Sequence, residues 1–206
     1  MSQQTLVIAT RNSGKLFELR QLLRDLPFIL CDLNSFPLIE SVEETGATFA
    51  ENACLKARVY AEQTGSLALA DDSGLEVDSL GGAPGVYSAR CAGAGASDAQ
   101  RIEKLLAELS KRVPGDRAAR FVSAVAVANS GGRILSVSVG VCEGRIAKVP
   151  RGSNGFGYDP VFVPDGYSET FGELSDEVKN QISHRAYALK GALDFLRSLT
   201  TASGDG

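Results

Sequence analysis

"TLVIATRNSGKLFELRQLLRDLPFILC", Thr5 to Cys31, decides the class of fold. The apolar run Thr5–Ala9 reads as a buried strand. Leu16, Leu19, Leu22, Leu23 and Leu26 then trace one helical face, which Pro27 stops. Phe28–Cys31 reads as a second strand. Strand, helix and strand in immediate succession predict an α/β chain.

The pattern continues outward. An irregular acidic loop through Ser41–Gly46 leads to Thr48-Phe49-Ala50-Glu51, a capping box that opens a helix to about Thr64, with Gly65 as its stop. Leu67–Ala70 reads as a strand running into Asp71-Asp72-Ser73-Gly74, and Gly81–Gly85 as a loop. Ser97–Gln100 is a second capping box, starting a helix to about Arg112. Ala119–Ala128 and Arg133–Val141 form a long β-hairpin joined by Asn129-Ser130-Gly131-Gly132. The loop Arg151–Pro160, a short strand Val161–Val163, a short helix near Ser175–Asn180 and a last helix over about Ser183–Leu199 follow. The polar tail Thr200–Gly206 is expected to be disordered. The sum is one α/β domain over 1–199: an elongated central mixed sheet flanked by helices, in two lobes with an active-site cleft between them.

Composition narrows the functions. At 206 residues and 44% hydrophobic, the chain can bury a sizeable core. No apolar stretch is long enough to span a membrane, and Met1-Ser2-Gln3-Gln4 lacks the features of a signal peptide, so a cytoplasmic protein is expected. Cys31, Cys54, Cys91 and Cys142 are scattered, which fits idle thiols in a reducing compartment. The net charge is -4, and no run of Lys or Arg marks a surface for polymeric nucleic acid. A small anion held by a few placed cations stays open.

Several cations occupy odd positions. The opening segment lacks the first glycine and the hydroxyl of a Walker loop, since Ala9 and Leu16 stand there. Lys15 nevertheless sits in the first turn of a helix, where the macrodipole disfavours a cation. It is either a solvated surface lysine or half of an anion site made with the free N–H groups. Lys56 fills the inward stripe of Phe49, Ala53 and Tyr60, so it forms a structural ion pair or faces a ligand. His184 and Arg185 fall in the first turn after Ser183, again the wrong end for a cation, with Lys179 nearby; a lone histidine is equally open to a purely structural role.

Asp71-Asp72 after a buried strand suits a hard cation such as Mg²⁺, although Asp, Ser and Gly also favour plain turns. Glu43-Glu44 offers a further ligand from the acidic loop, although alone that pair reads as solvated charge. In "GSNGFGYDP", Gly152–Pro160, Phe156 offers a face to a base and Asp159 an acceptor, although such a loop by itself is weak evidence. A nucleoside triphosphate with Mg²⁺ would use the cations, the carboxylates and the aromatic loop together.

These residues also resemble a known family. Thr10-x-Asn12-x-x-Lys15, Glu43-Glu44-Thr45-Gly46 with Phe49-x-Glu51-Asn52-Ala53-x-x-Lys56-Ala57, Ala70–Leu75, Gly81–Arg90, Gly155–Pro160 and Ser183-His184-Arg185 match the inosine triphosphate pyrophosphatases, also described as dITP/XTP pyrophosphatases. The resemblance spans nearly the whole chain. It implies a homodimer and Mg²⁺-dependent hydrolysis of ITP, dITP and XTP to the monophosphate and pyrophosphate, cleaning the nucleotide pool. It implies that Thr10, Arg11, Asn12, Ser13, Gly14, Lys15 and Lys56 hold the triphosphate. Asp72 would be the general base, Glu44 and Asp72 the metal ligands, and Ser73 a substrate contact, with Asp71 assisting the metal. Phe156, Gly157, Tyr158, Asp159, Lys179, His184 and Arg185 would form the base and sugar site. Arg11 stands where many members carry a smaller residue. The rivals are a related pyrophosphatase acting on modified pyrimidine nucleotides and a non-catalytic nucleotide-binding module.

Overall fold

The computed structural model describes residues 4–112 and 116–202. Its strands are β1 (Thr5–Ile8), β2 (Ile29–Asp32), β3 (Leu67–Val77), β4 (Ala118–Ala128), β5 (Ile134–Ile146) and β6 (Phe162–Pro164). Its helices are α1 (Ser13–Leu23), α2 (Phe49–Thr64), α3 (Asp98–Leu109), α4 (Asp176–Ile182) and α5 (His184–Ala202). The six strands form one sheet in the order β2-β1-β3-β4-β5-β6. β1 runs parallel to β2 and β3, whereas β5 and β6 are antiparallel. The sheet is mixed and the chain is α/β, as its opening stretch predicts.

Two compact units divide the chain. The first takes its described residues from Met1–Asp72, Ser123–Gly140 and Arg185–Gly206, the second from Ser73–Val122 and Val141–His184. In the first, strand residues two apart (Leu6 and Ile8, Leu67 and Leu69, Val125 and Val127) meet Leu19 and Leu23 of α1 and Leu189, Ala192 and Leu196 of α5. In the second, Leu75 and Val77 pack with Ile102, Leu105 and Leu109 of α3 and with Phe121, Phe162 and Phe171. Ring centroids there stand 4.5 Å apart for Phe121–Phe162 and 5.4 Å for Phe162–Phe171.

Local signals set most helix ends. Asn12 caps α1, its Oδ1 accepting from Lys15 N at 3.0 Å. Thr48 caps α2 through Glu51 N, and Gly65 ends it in the left-handed conformation. The α2 box is only half formed, because the Glu51 carboxylate turns to Ala47 N instead (2.7 Å). At α3 the Ser97–Gln100 box is complete.

The largest departure is β3. Asp71–Gly74 is no turn; it lies inside a strand that continues to Val77. Turn propensity loses because both carboxylates find buried cations, and because Gly74 lets Gly85 O and the Ser88 side chain approach, where a Cβ would stand 2.6 Å from Gly85 O. β1 pairs only as far as Ile8 with Leu69, so Asp71 and Asp72 lie beyond its carboxyl end. β5 likewise runs past Val141 to Ile146, because Gly144–Ile146 pairs with β6. Smaller shifts occur elsewhere. α3 stops at Leu109, a 3-10 turn over Asp159–Val161 delays β6 to Phe162, and α4 runs from Asp176 to Ile182. α5 remains helical to Ala202, three residues into the expected tail, and 203–206 lie outside the described residues.

Candidate active site

The first unit gathers a buried cluster of charge. Its geometry starts from the strand pleat: successive side chains of β3 point to opposite faces, so adjacent carboxylates acquire different neighbours. Asp71 is fully buried. Its Oδ1 meets Lys15 Nζ at 2.7 Å, and its Oδ2 accepts from Ser123 Oγ at 2.5 Å and faces Arg185 Nε at 3.5 Å. Arg185, from the first turn of α5, is also ion-paired with the buried Glu18 of α1. Asp72 meets Lys56 instead: Lys56 Nζ donates to Asp72 Oδ1 at 2.9 Å and to Glu44 Oε1 at 2.6 Å.

Opposite surroundings drive the two carboxyls apart. Burial would raise Asp71, but the charges of Arg185 and Lys15, with hydrogen bonds from Lys15 and Ser123, hold it well below the usual carboxylate range. Burial prevails at Asp72, whose pKa is raised even though Lys56 and Lys15 oppose the shift. Burial also lowers the Lys15 ammonium, against the pull of Asp71. At Lys56 burial is outweighed by Asp72 and Glu44, and its pKa rises.

A separate polar cluster lies in the second unit around Gly155–Asp159. Asp159 and Lys179 are both buried, with Lys179 Nζ 2.5 Å from Asp159 Oδ2. That same Oδ2 accepts from Phe156 N at 2.8 Å. Gly155 adopts φ +73°, and a Cβ there would collide with the Asp159 carboxylate. Lys179 Nζ stands 5.0 Å from the Phe156 ring centroid and 5.6 Å from that of Phe171. Gly157 N donates to Asp98 Oδ2 (2.7 Å), and Tyr158 Oη donates to Ser88 O (3.0 Å). His184 is buried and stacked on Phe121, with centroids 4.6 Å apart.

Most of the expected site residues therefore fall into two groups. Lys15, Lys56, Glu44, Asp71 and Asp72 come together, which settles Lys15 against a solvated surface role and gives Lys56 its ion pair. Asn12 caps the helix that carries Lys15, and Thr10 Oγ1 accepts from Asn12 N at 3.2 Å. Ser13 and Gly14 begin that helix, and Ser73 follows Asp72 along β3. Arg11 is exposed and reaches Ile39 O at 3.4 Å. Phe156, Gly157, Tyr158, Asp159 and Lys179 form the second group, with His184 beside Phe121. Arg185, expected with them, has its guanidinium on Glu18 and Asp71.

Three partners escaped the sequence reading. Glu18 had a signal, since an acid three residues beyond an inward lysine shares its helix face. Asp98 reads only as an acid suited to the first turn of α3, and nothing local marks Ser123.

The sequence model of the Ham1 family matches residues 6–195, and the chain belongs to that family. A protein of Desulforamulus reducens named dITP/XTP pyrophosphatase is 51% identical over 195 residues, covering 94% of this chain and 96% of its own. A solved HAM1 protein from Coxiella burnetii superposes with a TM-score of 0.85 at 45% identity, covering 97% of this chain and 100% of its own. The Ham1 protein of Staphylococcus aureus gives 0.83 at 40% identity, with 95% and 99% covered.

Proposed function

We propose that this chain hydrolyses deaminated purine nucleoside triphosphates (ITP, dITP and XTP) to the monophosphate and pyrophosphate, with Mg²⁺. Family membership and the names of its relatives support the reaction class. The observation that carries the reading is the set Glu44–Lys56–Asp72 beside Lys15–Asp71, in which Lys56, Asp71 and Asp72 are buried and Glu44 and Lys15 half-buried, with hard oxygen donors and cations adjoining the start of α1.

The donors fit the metal. Glu44 and Asp72 already direct one oxygen each at a single positive centre, the Lys56 ammonium. Among the described residues no group of three or more His, Cys, Asp and Glu could hold a metal. A pair of carboxylates suits Mg²⁺, which keeps several waters and takes substrate phosphate oxygens. Glu44 and Asp72 would hold it, and when bound it supplies neutralising charge to the phosphate oxygens.

The chain's own groups do the rest. Asp72 accepts the proton of the water that attacks the α-phosphorus, and the α–β anhydride bond breaks to release pyrophosphate. Lys15 Nζ, Lys56 Nζ and the backbone N–H groups of Ser13 and Gly14 bind phosphate oxygens, the Lys15 N–H being taken by the Asn12 cap. Asp71 keeps Lys15 and Arg185 in place. Phe156 offers a face for stacking the base, and Lys179 and His184 supply donors for a 6-oxo group. Adenine, with an amino group there, leaves those donors unpaired, which discriminates strongly.

The deciding experiment is a panel of ITP, dITP, XTP, ATP, dUTP and 5-methyl-UTP assayed for pyrophosphate release with and without Mg²⁺. Preference for ITP, dITP and XTP with metal supports the reading. Preference for the pyrimidines, or binding without turnover, overturns it. The homodimer belongs to the same proposal, and light scattering of the purified chain tests it.

A further inference from the structure

The acidic loop from Glu40 to Ala47 has no regular secondary structure, yet it is fastened to α2 rung by rung. Its backbone N–H groups donate to α2 side chains in antiparallel order. Glu40 reaches Gln63 Oε1 (2.8 Å), Val42 reaches Tyr60 Oη (3.3 Å), Gly46 reaches Asn52 Oδ1 (2.7 Å) and Ala47 reaches Glu51 Oε2 (2.7 Å). Lys56 Nζ meets Glu44 in the middle of this series. Asn52, Lys56, Tyr60 and Gln63 are three or four residues apart, so one stripe of the helix serves the whole loop.

Two observations single out Asn52. Its side chain is fully buried, with Oδ1 committed to Gly46 while Nδ2 has no hydrogen-bond partner among the described residues. A buried donor left unmade is costly, so an apolar residue would be cheaper there if packing alone mattered. The loop also approaches too closely for any side chain at Gly46, where a Cβ would stand 2.7 Å from Asn52 Oδ1 and 3.0 Å from Asn52 N.

We propose that Asn52 is a positioning residue that, through Gly46, latches the acidic loop so that Glu44 stays opposite Asp72. The inference rests on the metal role given to Glu44 above. Its physical content is redundancy. In the ion pair, the place of Glu44 depends on Lys56, which is itself assigned to phosphate. The latch acts on the loop backbone and holds Glu44 whichever cation it faces.

The test uses the full chain with two readouts: hydrogen exchange of the 40–47 amides, and the Mg²⁺ concentration giving half-maximal rate. Asn52→Ala should raise exchange at Gly46 and Ala47 by at least ~10-fold, as a local opening does. It should also raise the Mg²⁺ midpoint several-fold, more than it lowers the rate at saturating Mg²⁺. Asn52→Asp keeps an acceptor for Gly46 N and should restore protection there. Asn52→Leu, which fills the same space but offers no acceptor, should release the Gly46 amide in the same way and decides the matter if Asn52→Ala does not fold.

Unchanged protection at Gly46 in Asn52→Ala or Asn52→Leu, or an unchanged Mg²⁺ midpoint, overturns the latch. If the wild-type chain hydrolyses none of the purine panel, the functional reading fails on its own. Hydrogen exchange and a Mn²⁺ titration of the free protein by electron paramagnetic resonance then judge the latch separately.

Discussion

Asp71→Asn tests the electrostatics of the first cluster most sharply. Asparagine keeps the shape of the side chain and an acceptor for Ser123 but removes the charge. Arg185 retains Glu18, whereas Lys15, with its side chain 14% exposed, loses a counter-ion held at 2.7 Å. Removing one partner of a buried pair costs about 3–5 kcal/mol. The Lys15 ammonium keeps some access to water, so the loss should fall near the lower end, about 3 kcal/mol. Urea denaturation at pH 7 measures it. The pH dependence has a definite sign. Asp71 is held below its ordinary 3.8 in the folded chain, so its stabilisation is complete above that value and drains away as the pH falls through it towards the folded pKa. The gap between wild type and variant should therefore be flat from about pH 5 to 7 and narrow towards pH 3. A loss below about 1 kcal/mol at pH 7, the level of an exposed pair, or a gap that widens on acidification refutes the reasoning.

Asp72→Asn should lower turnover by ~10²–10⁴-fold while nucleotide affinity stays of the same order, and steady-state kinetics with a binding titration would show it. Lys56→Ala should raise KM for the triphosphate. It should also move the acid limb of the pH–rate profile upward, because Lys56 opposes the burial that raises Asp72; a limb that stays put or moves down counts against Asp72 as the base. Gly155→Ala forces a side chain into a left-handed position and against Asp159, at about 1–3 kcal/mol in stability. If the second cluster reads the base, KM for ITP should rise far more than kcat falls, and equal loss in both would place the loop in the chemistry.

The fold was largely legible because strand and helix signals alternate cleanly and the caps at Asn12, Thr48 and Ser97 act locally. What sequence could not show was where partners override local preference. Asp-Asp-Ser-Gly has the composition of a turn, and it stays extended beside Lys15, Arg185, Ser123 and Lys56, partners brought in from elsewhere in the chain, and with Gly85 and Ser88 packed against Gly74. β5 outruns its apolar pattern because β6 pairs with its far end. In the site, the inward placement of Lys56 was legible from the helix stripe of Phe49, Ala53 and Tyr60. The partnership of Arg185 with Glu18 was not, since the two belong to α5 and α1 and no spacing joins them. His184 and Arg185, neighbours in sequence, consequently serve different surroundings.

The same logic separates Asp71 from Asp72. Sequence presents two equal carboxylates, and either one suits a metal or a base. The pleat of β3 gives them different nearest partners, although the charge of Lys15 reaches both. Asp71 meets two cations and a hydroxyl, which hold its proton affinity well below that of an ordinary carboxyl. Asp72 meets one lysine, shared with Glu44, and burial leaves its pKa raised. A general base needs proton affinity closer to the working pH, and a charge anchor needs the reverse. On the proposed mechanism one dipeptide supplies both, because alternation along an extended strand gives each member its own neighbours.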